Sequence, residues 1–127
     1  MSDPDITSDA YLRKFQKELS AGTVSLVLLA VLAAAPEPMY GYQIAKRLER
    51  VGDGVLAGKQ SALYPVLRNL GAAGLLDSHV APSASGPPRR YYRITDVGRR
   101  TLAQWIAAWS ATRDSVDSVL RGVGDGP

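Results

Sequence analysis

The sequence contains no cysteine and a single histidine, His79. Without thiols the chain forms no disulfide, no thiolate zinc site and no cysteine nucleophile, and this usage suits a reducing, cytoplasmic compartment. A lone histidine excludes a multi-histidine metal centre and leaves one position for any Ser-His-Asp arrangement. Within a strand it is expected to face solvent. Long apolar runs are also missing. The most apolar, VSLVLLAVLAAA at 24–35, falls well short of the roughly 20 residues that span a bilayer. It lies too far inside the chain, and lacks the small-residue cleavage pattern, to be a signal peptide. A buried helix is expected there, and no membrane partner. A phosphate-cradling loop is incomplete: Gly58-Lys59 is followed by Gln60 where Ser or Thr belongs, and Asp53 stands at the position of the first glycine. No catalytic constellation converges, and neither cofactor nor metal is called for. An enzyme is not expected.

What is present is an ordinary globular composition, 46% hydrophobic and 21% charged over 127 residues, with a net charge of +3. This fits one domain and favours polyanion binding only weakly. Near the N-terminus, SDAYLRKFQKEL sets Tyr11, Leu12, Phe15 and Leu19 at helical spacing, with Ser8 or Asp9 as cap. Gly22 and Thr23 then separate this amphipathic arm from the apolar helix, which Pro36 and Pro38 stop. A second helix in YGYQIAKRLERVG turns Ile44, Leu48 and Val51 inward and ends at Gly52 and Gly54. The third, in KQSALYPVLRNLGAAGLL, packs Leu63, Val66, Leu67 and Leu70 and exits at Gly74. Its other side, with Ser61, Pro65, Arg68 and Ala72 flanked by Tyr64 and Asn69, is expected to meet something other than core.

Two strands follow, LLDSHVA and RRYYRIT, with Tyr92 and Ile94 inward and Tyr91 and Arg93 outward. PSASGPP between them reads as a protruding loop, too long for a two-residue turn. A last helix runs from a Thr95 or Asp96 cap to about Leu120, before a fraying tail. Three helices and then a hairpin is the order of a winged helix-turn-helix, whose third helix enters the DNA major groove. The expected fold is mainly α with a small β-hairpin. Its division is an N-terminal arm at 1–21, a winged helix-turn-helix at 22–94, a C-terminal dimerisation helix at 95–121 and a tail at 122–127.

In that order and spacing, MYGYQIAKRLER, SALYPVLRNLGAAGLL and RRYYRITDVGRRTL resemble the PadR family of transcriptional regulators. The likeness covers about residues 22 to 106, and the single C-terminal helix is similar to the family's shorter subgroup, whose dimers form through terminal helices. Two departures stand out: Ser61-Ala62 replaces the Gly-Ser or Gly-Thr of many relatives, and Gly71 or Ala72 a charged residue. The resemblance implies a homodimeric repressor that binds double-stranded DNA at a pseudo-palindromic operator. A winged-helix protein-interaction module without DNA affinity is the alternative, since fold alone does not fix function.

Within that frame, Lys59, Gln60 and Ser61 at the tip of the third helix and Tyr64, Arg68 and Asn69 on its outer side are candidate DNA contacts. Arg89 and Arg90 beside the hairpin loop are candidate phosphate contacts. Pro65 costs little if it falls in or just after the first turn, where few backbone donors are engaged. Tyr11, Leu12, Phe15 and Leu19, with Leu102, Trp105, Trp109 and Val116 along a heptad-like seam of the last helix, are candidate dimer contacts. In some relatives the apolar surface between subunits accepts aromatic effectors, which makes Trp105 and Trp109 candidate contacts for a small aromatic effector.

Overall fold

The computed structural model describes residues 4–51 and 60–124, with side chains from Ser8 and Ala62 onward in the two segments. Its elements are α1 (Pro4–Ala34), β1 (Met39–Tyr40), α2 (Gly41–Glu49), α3 (Gln60–Ala72), β2 (Leu76–Ser83), β3 (Gly86–Ile94) and α4 (Asp96–Val123). The chain is mainly helical, with one small antiparallel sheet in the order β1-β3-β2.

The first difference from the sequence expectation is α1, an unbroken helix of 31 residues. Gly22 and Thr23 do not separate an arm from a core helix. An interior glycine costs only about 1 kcal/mol, and the Thr23 hydroxyl is absorbed locally, donating to the Leu19 carbonyl at 2.8 Å. Ser8 and Asp9 therefore lie inside the helix, which opens at Pro4, a position where the missing N–H of proline is harmless. The longer helix also changes the membrane argument. Ser8–Ala34 is long and apolar enough to cross a bilayer by length and composition, but Leu28, Leu29 and Leu32 near its C-terminal end form the centre of the core. Beyond Ala34, Arg99 of α4 donates to the Ala33 carbonyl at 3.4 Å, placing a cation at the negative end of the helix.

In α2, Ile44, Ala45 and Leu48 are buried as the spacing demands, and Gln43 reaches back to accept the Tyr40 N–H at 3.1 Å. Val51 does not join them. The helix ends at Glu49 with Arg50 as its C-cap, so Val51 leaves the helical register and is exposed. Gly52 and Gly54, expected to end the helix, lie outside the described residues. In α3, Leu63, Leu67 and Leu70 are buried and Val66 half-buried. Pro65 is its sixth residue; the donor it lacks would have served the Ser61 carbonyl, so the cost is one bond in the second turn. The exit is a Schellman turn: Leu75 N–H bonds the Leu70 carbonyl and Gly74 N–H the Gly71 carbonyl, both at 3.0 Å. Gly74 takes the left-handed φ of 80° that this turn requires.

The hairpin is tighter than expected. Only Ala84 and Ser85 separate Ser83 from its partner Gly86, so PSASGPP is not a long loop. Pro82 sits where the register slips between Ala81 and Ser83, and Pro87 and Pro88 belong to β3, beyond the stretch that β1 covers. Proline is tolerated at such bulges and open edges because no ladder donor is needed there. The third strand, β1, was not anticipated. Met39 and Tyr40 pair with Tyr92 and Tyr91.

Thr95 explains why the hairpin runs directly into α4. Its hydroxyl accepts the Gly98 N–H at 2.9 Å as N-cap and donates to the Gly74 carbonyl at 2.7 Å. A Cβ on Gly98 would collide with the Leu75 carbonyl oxygen and the Ile94 side chain, so the Thr-x-x-Gly spacing is a close-packing requirement. The helix then continues through Gly122 to Val123, past the expected stop near Leu120. Leu102, expected along the seam between subunits, is only 7% exposed and belongs to this chain's own core.

Candidate nucleic-acid interface

The outer side of α3 is open to solvent, as its sequence pattern requires. Pro65, Arg68, Asn69 and Ala72 are all exposed. Tyr64 is also exposed, at 37%. Its ring leans back over the start of α2, where a Cβ on Gly41 would stand 2.7 Å from the phenol oxygen and 2.8 Å from the ring edge. Glycine at 41 is what lets the two helices approach there.

Arg89 and Arg90 lie midway along the wing, in β3. Arg89 is half-buried with its guanidinium 4.4 Å from the centre of the Tyr40 ring, a cation–π geometry. Arg90 is exposed and donates to Ser78 Oγ across the hairpin at 3.0 Å. A groove of about 470 Å³ runs between wing and helix, lined by Tyr40, Gly41, Tyr42, Tyr64, Pro88, Arg89 and Arg90. A neighbouring cleft of about 450 Å³ brings Arg68 and Arg90 together beside Ser78 and Tyr92. Burial pushes the Tyr92 phenol above its ordinary pKa, with the Arg90 and Arg68 charges working against that rise and Tyr64 adding to it. Arg68, Arg90 and Tyr64 are thus all within electrostatic reach of one buried ring.

The structure therefore gathers four of the sequence-derived candidates, Tyr64, Arg68, Arg89 and Arg90, at one junction between α3 and the wing. Asn69 shares the exposed side of α3. Gln60 and Ser61 open that helix, but their side chains, and all of Lys59, lie outside the described residues. Three residues without an assigned role join the site: Tyr40, Gly41 and Tyr42. The Tyr-Gly-Tyr triplet was a visible signal, but nothing in its spacing distinguishes a site residue from a helix start. His79 faces solvent as expected and stacks on Tyr91 across the hairpin. Among the described residues, no group of three or more His, Cys, Asp or Glu could hold a metal ion.

The long helices α1 and α4 carry a second kind of surface. Tyr11, Leu12, Phe15 and Leu19 on α1 are each more than half exposed. On α4, Trp105 is half-buried against the core, whereas Trp109, Val116 and Val119 are exposed. An apolar groove of about 460 Å³ between the two helices is lined by Leu19, Gly22, Leu26, Trp105, Ala108 and Trp109, among others.

Known proteins share this fold. A PadR family transcriptional regulator of Eggerthella lenta DSM 2243 is 35% identical in sequence, and its crystal structure matches with a TM-score of 0.77 over 91% of this chain and 96% of that one. A PadR-like transcriptional regulator of Bacillus cereus is 25% identical, with a TM-score of 0.67 over 82% of this chain and 97% of that one. Bacillus subtilis PadR, solved in complex with operator DNA, shares the fold at 22% identity, with a TM-score of 0.58 over 65% of this chain and 46% of its own. Residues 28–104, from the buried end of α1 to the first turns of α4, match the model of the PadR-like family. That span holds every element of the α3–wing junction, and with it the chain belongs to the PadR-like family of transcriptional regulators.

Proposed function

We propose that the chain is a sequence-specific, double-stranded DNA-binding repressor that acts in the cytoplasm as a homodimer on a pseudo-palindromic operator. The observation that carries this reading is the convergence of Tyr64 and Arg68 from α3 with Arg89 and Arg90 from the wing on adjoining clefts. A helix side and a hairpin strand offering guanidinium groups from adjoining clefts suit a DNA duplex, with α3 in the major groove and the wing cations on the backbone. The family is one of transcriptional regulators, and the fold-matched Bacillus subtilis PadR is held on operator DNA. This role is regulatory, not enzymatic.

Two copies would associate through the uncovered apolar residues of α1 and α4: Tyr11, Leu12, Phe15 and Leu19 with Trp105, Trp109 and Val116. Leu102 supports that surface from beneath. Two-fold symmetry then matches half-sites about one helical turn apart. The groove beside Trp105 and Trp109 offers flat indole faces and an apolar lining, which suits a planar aromatic effector. The test is retention of DNA from upstream of the gene by the purified protein, read across salt concentrations. Specific retention that falls steeply with salt supports the reading. Absence of retention at low salt turns it to the protein-interaction alternative.

A further inference from the structure

The DNA-binding reading leaves four aromatic rings without a task, yet they form one connected array. Tyr40 and Tyr91 are cross-strand partners whose rings meet edge to face at 5.4 Å. Tyr91 in turn faces His79 on the outer strand, stacked at 5.6 Å with 14° between planes. In the other direction Tyr42, in the first turn of α2, stacks on Tyr40 at 6.4 Å and carries Lys46 Nζ 5.4 Å above its ring. The alternation of strands places Tyr40, Tyr91 and His79 on the sheet face opposite the buried Tyr92. Arg89, two residues before Tyr91, shares that face and completes the array over Tyr40.

Tyr40 therefore holds a wing arginine, and the very next residue, Gly41, receives Tyr64 of α3. We infer that the Tyr40-Gly41 dipeptide is a positioning seat, which sets the wing and the recognition helix relative to each other by gripping one side chain from each. This rests on the DNA-binding reading and deepens it. Neither residue needs to touch DNA. An arginine free in solvent samples many rotamers, and part of that freedom must be given up on binding. Laid on the Tyr40 ring, Arg89 has already lost much of that freedom. The backbone groups that pair Tyr40 with Tyr91 and donate to Gln43 are retained when Phe or Leu stands at 40.

The test compares Tyr40→Phe, which keeps the ring face, with Tyr40→Leu, which removes it, each alone and combined with Arg89→Gln. The readouts are operator affinity and, in the free protein, the NMR shift of the Arg89 Nε–H. The wild type and Tyr40→Phe should both show that proton shielded by the ring, and Tyr40→Phe should bind DNA more tightly than Tyr40→Leu. Tyr40→Leu should lose the shielding and about two- to fivefold in affinity, the worth of an exposed cation–π contact. In the Arg89→Gln background Tyr40→Leu should cost nothing further. An unshielded Arg89 in the wild type would overturn the seat whatever the DNA result. Equal losses for Phe and Leu would overturn it too, by assigning the role to the hydroxyl. A shielded Arg89 in a protein that binds no DNA would leave the seat standing in the free chain and overturn the DNA-binding reading instead.

Discussion

The two halves of α1 have similar apolar side chains and opposite fates. Leu28 and Leu29 are fully buried, whereas Tyr11 is 69% and Phe15 56% exposed on the same continuous helix. The C-terminal half is covered by α2, α3, the sheet and the start of α4; the N-terminal half keeps its large apolar side chains more than half exposed, beside the edge of α4. Apolar surface in water costs roughly 25 cal/mol per Å², and this row of large uncovered side chains at helical spacing is the surface proposed to meet a second subunit. The same division separates the leucine side of α3, which completes the core, from its arginine side.

That comparison can be broken most sharply in the core. Leu29→Ala should cost about 2–5 kcal/mol of unfolding free energy at every protein concentration, read from urea transitions. Next in size is the uncovered end. Phe15→Asp with Trp109→Asp should give a monomer in sedimentation. It should also remove the concentration dependence of Tm, worth about 2.7 kcal/mol when protein stands a hundredfold above the dimer Kd. A stable dimer in that variant, or an equal loss of stability at all concentrations, would merge the two halves into one kind of surface. On α3, Arg68→Ala should leave Tm in place while weakening binding to operator and random DNA alike, with a salt slope smaller by about one. A loss confined to one operator position would make Arg68 a base reader. Smallest of all, Asp77→Asn removes an exposed ion pair with Arg93 at 3.2 Å and should cost less than about 1 kcal/mol, within the scatter of a thermal melt.

Much of this was legible from the chain itself because it is local. The leucine spacing of α3, the Gly74 exit and the Thr95 cap each depend on a few neighbouring residues, and each stands where the pattern put it. The features that were not legible depend on contacts far along the chain. Gly22 reads as a break, yet a Cβ there would meet open space; the helix passes through it because Leu28, Leu29 and Leu32 are anchored beyond. The two residues of β1 are too few to show a period, and they become a strand because β3 offers an open edge. The prolines of PSASGPP suggested a loop because proline is turn chemistry in isolation; an irregular register and an unpaired edge take them into strands. At the site, Arg68 and Tyr64 could be placed by their side of the wheel. Tyr40 could not, because its importance lies in Arg89, 49 positions further on.

The unbroken course of α1 makes it a strut. Its 31 residues extend roughly 46 Å at the usual rise, joining the end proposed to meet a second subunit to the core that carries α3 and the wing. In such a dimer the two reading heads sit on stiff beams, not tethers. Inserting one base pair between half-sites moves one of them by about 3.4 Å and turns it about 35° around the duplex, and a stiff frame cannot follow both changes. The protein would then measure the gap between half-sites as strictly as the letters within them, and an operator with the right letters at the wrong spacing would be read as the wrong gene.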